Sequence, residues 1–102
     1  MQLENTKTME NKQIWKFEIK EGSIRMPVGA NILSVQSQGG RGMIWALVDP
    51  NAEDEPRWFA VVGTGEPFDE TNMTYIGTYQ ESPFVWHLFE WKDKQQDNGT
   101  PN

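Results

Sequence analysis

In the stretch IWKFEIK, Trp15, Phe17 and Ile19 alternate with Lys16, Glu18 and Lys20. This period of two, apolar on one side and charged on the other, is the pattern of a strand with one buried face. The rest of the chain keeps to short runs of this kind, because glycine or proline intrudes before any apolar segment reaches helical length. Branched and aromatic residues occupy the apolar positions, and these pack better on a pleated surface than on a helix.

Along the chain, SIRMP reads as a short edge-like strand ended by Pro27. Val28 to Asn31 bend into ILSVQSQ, a further strand. In QGGRG, Gly39, Gly40 and Gly42 supply the backbone freedom of a tight hairpin. MIWALVD is apolar on both faces and predicts a central strand covered from both sides. PNAEDEP is a solvated loop, after which RWFAVV is expected to return and complete a second hairpin. EPFDETNM is the longest irregular stretch, with room for one helical turn. TYIGTYQ, the turn ESP and FVWHLFEW predict a third hairpin. The total is about seven short strands at even spacing, which predicts an all-β, antiparallel domain, either a small sandwich or a meander or barrel. The domain is expected over residues 13–92, between polar tails at 1–12 and 93–102 that are expected to be flexible.

Length and composition exclude several classes. A chain of 102 residues fits one domain. It has no cysteine and a single histidine, His87, so disulfides, thiolate metal sites and His-rich zinc sites are excluded, and no cofactor is expected. No apolar run approaches the roughly 20 residues that span a bilayer, and a soluble protein of the cytoplasm, without membrane contact, is the simplest expectation. The formal net charge of −6 disfavours DNA or RNA as partners, since their binding rests on neutralising phosphates. A small anion held in a local pocket remains compatible with it.

Six blocks in order, IWKFEI, MPVGANILSVQ, WALVDP, VVGTGEP, YIGTYQ and FVWHLFE, resemble a family of small uncharacterised proteins from bacteriophages and mobile elements. The resemblance covers residues 14–90. It implies a phage gene and the host cytoplasm as setting, and carries over no catalytic residues. In such a setting small proteins counter host defence by sequestering a nucleotide-like signal or by capping a defence protein, which is an analogy of setting only.

The segment RWFAVVGTGEP poses the main question about a site: does Gly63-Thr64-Gly65 cradle a phosphate, or only bend the chain at a strand end? Walker spacing and its lysine are missing, and Glu66-Pro67 prevents a helix from starting there. An anion-holding turn with the Thr64 hydroxyl as an extra donor remains, beside the simple alternative of a strand exit relieved by glycine. Arg41, on the glycine-rich hairpin, and Arg57, at the start of the strand leading to the turn, are candidate partners for such an anion. Surface ion pairing is their ordinary alternative.

Five tryptophans are many for this length. Trp15, Trp45 and Trp86 fall on apolar positions and are expected in the core, whereas Trp58 and Trp91 lie beside charges at strand ends. Trp58 completes the candidate ligand set of Arg41, Arg57, Gly63, Thr64 and Gly65, as a stacking platform or a protein anchor. His87 points away from the face of Trp86 and Leu88, without a nucleophile or acid marked by spacing as its partner. The expectation is therefore a protein that is no enzyme: a phage-type, anti-defence binding protein, assembled as a homo-oligomer, that sequesters a small anionic, nucleotide-like ligand. The alternatives are an inhibitor capping a host protein through the Glu53-Asp54-Glu55 loop and Trp58, and an auxiliary virion protein.

Overall fold

The computed structural model describes residues 11–93. The expected tails at 1–12 and 93–102 thus fall for the most part, at 1–10 and 94–102, outside the described residues. Seven antiparallel strands form two sheets: β1 (Gln13–Glu18), β2 (Gly22–Pro27), β3 (Asn31–Gln38), β4 (Arg41–Val48), β5 (Asp54–Gly63), β6 (Met73–Glu81) and β7 (Phe84–Trp91). One sheet has the order β1-β4-β3, the other β2-β5-β7-β6. The result is a sandwich, as expected from the alternating pattern.

The alternation decides which side chains meet. From β4 the buried residues are Ile44, Ala46 and Val48, with Gly42 in the same row. Ile24 and Met26 of β2, Phe59 of β5, Tyr79 of β6 and Leu88 of β7, with Ala30 just before β3, complete the core. Trp15 and Phe17 of β1, with Ile19 just beyond the strand, pack against the open side of the core. Two glycines allow the sheets to close. A Cβ on Gly42 would lie 2.4 Å from a ring carbon of Tyr79, and one on Gly77 2.9 Å from Cβ of Val35. The β3 and β6 margins are also stitched by Ser37, whose hydroxyl donates to the carbonyl of Gln80 and accepts its N–H.

Three expectations need correction. β4 is central in its sheet, but Met43, Trp45 and Leu47 on its outer face are only half-buried, with Lys16 lying over the Trp45 ring. Trp45 is thus an outer-face residue, while Trp15 and Trp86 pack at the margin of the core. The expected second hairpin is absent, because β5 leaves the sheet of β4 and pairs with β2 and β7 instead. The strand β4 already has β1 and β3 as neighbours, so the acidic loop carries the chain across to the other layer. The stretch EPFDETNM holds no helical turn: Asp69 accepts from the N–H and hydroxyl of Thr71, and Asn72 at φ 64° reverses the chain into β6. Asp and Asn favour such local turns over helix. The hairpins β3–β4 and β6–β7 form where the sequence predicts them, the latter through a cis Ser82–Pro83 bond.

Candidate functional site

At the end of β5 the G-T-G turn is closed by the protein's own groups. The N–H of Gly63 donates to Oε1 of Glu66 at 2.8 Å, and the N–H of Glu66 returns to the carbonyl of Gly63 at 3.1 Å. The N–H of Thr64 donates to the carbonyl of Val85 at 3.3 Å, and Gly65 takes φ +91°, which glycine alone adopts freely. A carboxylate therefore does sit on this turn, and it belongs to Glu66.

The Thr64 side chain reaches sideways onto the outer face of the larger sheet. Its Oγ1 is 2.7 Å from Nε2 of His87, and Nδ1 of His87 is 2.9 Å from Oγ1 of Thr78. Thr78 in turn hydrogen-bonds the hydroxyl of Tyr75. Register explains the meeting: His87 pairs with Val62 on one side and Thr78 on the other, so its ring lies between the turn and β6. A hydroxyl–imidazole pair is half of a nucleophilic set, but the third group is the neutral hydroxyl of Thr78 where a carboxylate would normally stabilise an imidazolium. The arrangement tethers the turn. A few residues on, Phe68 packs on Phe89 at 4.6 Å, which brings the 64–72 loop down onto the same face.

Beside the turn lies a recess of about 460 Å³ formed by Gly63, Thr64, Glu66, Pro83, Phe84 and Trp86, together with Val85. Phe84 is 58% exposed and its ring stands 5.7 Å from that of Trp86. A second recess of about 290 Å³ opens between the sheets at the same end, among Ile19, Glu21, Tyr79, Glu81 and Trp86. Trp86 lines both. Glu81 reaches across the gap to accept the N–H of Gly42 at 2.7 Å, tying the sheets together there. Lys20 is the one cation among the residues lining either recess. Burial, then the charges of Glu81 and Glu21, push the Tyr79 phenol up to about 12. The end of the sandwich is thus aromatic and electronegative.

The candidate residues divide between two regions. Arg41, at the start of β4, shares this end with Gly63, Thr64 and Gly65, and is paired with Glu18 on an exposed surface. Arg57 lies six positions before Gly63, about 20 Å along the strand. Its side chain is largely buried: Nε and Nη2 donate to the two oxygens of Glu90 at 2.7 and 3.0 Å, and Nη1 donates to the carbonyl of Ala30 at 2.6 Å. The Glu90 hydrogen bonds raise the Arg57 pKa further, against the opposing effect of burial. Trp58 is half-buried and belongs to the opposite face of β5, beside Ser23. Arg41 and Arg57 therefore do not converge, and Trp58 is not on the wall of either recess.

Sequence reasoning passed over Glu66, Phe84 and Glu81, and assigned Trp86 to the core. A glutamate three residues after Gly63 is a readable signal of a self-closed turn, as in reciprocal capping. An aromatic residue next to proline in a two-residue turn, as in Ser82-Pro83-Phe84, signals exposure. The cross-sheet reach of Glu81 has no local signal.

Among the described residues, no group of three or more His, Cys, Asp or Glu side chains gathers as a metal-holding cluster, and no helix is long and apolar enough to cross a membrane. No curated protein and no solved structure matches the chain. A family model described as a domain of unknown function matches residues 10–99, nearly the whole length. By that match the chain belongs to the family Domain of unknown function (DUF7352).

Proposed function

We propose that this protein is a non-enzymatic binding domain that caps a partner protein, seating a basic and partly apolar segment of it at the Trp86 end of the sandwich. The observation that carries this reading is the composition of the two adjoining recesses. Trp86, Phe84 and Pro83 offer apolar and aromatic surface, and Glu21, Glu66 and Glu81 surround it with carboxylates. Aromatic faces rimmed by acid favour the stems and charged heads of Lys and Arg. Beyond the larger effect of burial, the charges of Glu81 and Glu21 add to the rise of the Tyr79 pKa, which is in keeping with that sign of field.

A small anionic, nucleotide-like ligand is the weaker reading. The Gly63 N–H already serves Glu66, and Arg41 and Arg57 already serve Glu18 and Glu90. An anion there would compete with the protein's own carboxylates. The phage resemblance of the sequence supports a host protein of defence as the partner, and the host cytoplasm as the place of action.

The test is a calorimetric titration of the full chain with short peptides of alternating Arg and Leu, with Glu–Leu peptides and ADP-ribose as further arms. The reading requires binding of the Arg–Leu peptide alone, weakened by Trp86→Ala and by Glu66→Gln. Binding of ADP-ribose in place of the peptide would replace it with the sequestration reading.

A further inference from the structure

We infer that β1 is a self-association edge, and that two copies of this chain join β1 to β1 across a two-fold axis at Phe17. Among the described residues the sandwich has four edge strands, β1 and β3 in one sheet, β2 and β6 in the other. Exposed edges invite pairing with another chain unless something blunts them. β2 ends in Pro27, which has no N–H to offer. β3 carries an irregularity between Ile32 and Ser34, β6 one between Tyr75 and Gly77, and Ser37 stitches these two margins together. Among the described residues β1 has none of these devices. Its register with β4 runs unbroken from Gln13 opposite Val48 to Glu18 opposite Met43.

The direction of its backbone groups follows from one bond. The N–H of Ile19 donates to the carbonyl of Gly42 at 3.0 Å. In an antiparallel ladder, hydrogen-bonded positions alternate, so Phe17, Trp15 and Gln13 also turn their backbone groups to β4. Ile14, Lys16 and Glu18 then turn theirs to the open edge. A second antiparallel β1 meets those groups when its own even-numbered residues lie opposite. Among the symmetric registers that do so, the axis at Phe17 sets Lys16 against Glu18 of the partner subunit, twice over. An axis at Lys16 would oppose like charges, and one at Trp15, although it sets Lys12 against the partner's Glu18, would leave Ile14 facing the partner's Lys16. Only the Phe17 register sets both charged residues of β1, Lys16 and Glu18, against opposite charges at hydrogen-bonded positions. Glu18 already holds Arg41, and a carboxylate has acceptor sites for both cations. The same docking covers Phe17 and Trp15, whose rings lie 6.4 Å apart at the open margin of the core.

Sedimentation velocity of the full chain over a concentration series tests this. The wild-type chain is expected to dimerise. Lys16→Pro is expected to leave a folded monomer, because the lost N–H faces away from β4. Lys16→Glu is expected to weaken the dimer by roughly tenfold or more, and Lys16→Glu with Glu18→Lys to restore it. The charge variants decide the matter if the proline variant fails to fold. A wild-type monomer at every concentration, or a dimer untouched by both Lys16→Pro and Lys16→Glu, overturns the edge assignment. A double variant that stays as weak as Lys16→Glu overturns the Phe17 register.

Discussion

Thr64 Oγ1 and His87 Nε2 stand 2.7 Å apart, joining the tip of the G-T-G turn to the middle of β7. The contact lies on an exposed face, so its worth is modest, while its effect on the position of the turn is large. Thr64→Val keeps the shape and removes the hydroxyl. Stability is expected to fall by about 0.5–1 kcal/mol. The N–H groups of Gly65 and Glu66 are expected to exchange faster with solvent, as seen by NMR. Unchanged exchange at the turn would show that the bonds to Glu66 and to the Val85 carbonyl hold it without the hydroxyl.

The Arg57–Glu90 pair is a second, independent anchor, bidentate and mostly enclosed. Arg57→Ala leaves the Glu90 carboxylate and the Ala30 carbonyl without the guanidinium. Chemical denaturation is expected to show a loss of about 2–3 kcal/mol. Replacing both partners, with Arg57→Met and Glu90→Leu, is expected to recover part of that loss, since the stranded charge is then gone. A ligand role for Arg57 predicts instead a small stability change.

Gly42 marks the closest approach of the two sheets at the recess end. Its Cβ position lies 2.4 Å from the Tyr79 ring, which is itself held between β4 and the core. Gly42→Ala is expected to cost about 1–3 kcal/mol by overpacking, read as a lower Tm. Gly42→Ala with Tyr79→Leu is expected to regain part of it, because the ring that must move has been removed.

Tyr79 also sets an alkaline limit. Its phenol is raised from 10.0 to about 12, so the folded state binds this proton more tightly than the unfolded chain does. Stability tied to it is complete below about pH 10 and declines as pH rises towards 12. Tyr79→Phe is expected to flatten that part of the stability profile, measured by urea unfolding at a series of pH values. An unchanged alkaline slope in the variant would locate the cause elsewhere.

How far the sequence discloses these features depends on their range. Strands and their inward faces are local: Trp15, Phe17 and Ile19 alternate, and the structure packs them together, half-buried, against the core. Hairpins with short turns are also local, and Gly39-Gly40 and Ser82-Pro83 mark both of them. The partner of β5 is a matter of long-range pairing, and nothing in RWFAVV states that β2 and β7 are its neighbours. The candidate site divides in the same way. The turn at Gly63 is legible, but which donors fill it depends on Glu66, Val85 and His87, and only the first is near in sequence. Arg57 reads as a free cation because Glu90 lies 33 residues away.

The central claim is that the Trp86 end of the sandwich is the docking surface and that it prefers cations. Two-dimensional NMR of the labelled full chain, titrated with the Arg–Leu peptide, tests it most directly. The account predicts shifts concentrated on Gly63, Thr64, Phe84 and the Trp86 indole, reduced when Glu66 and Glu81 are changed to glutamine. Silence at those residues, or shifts gathered instead at Glu53, Asp54 and Glu55 around the start of β5 and at Trp58, would contradict it.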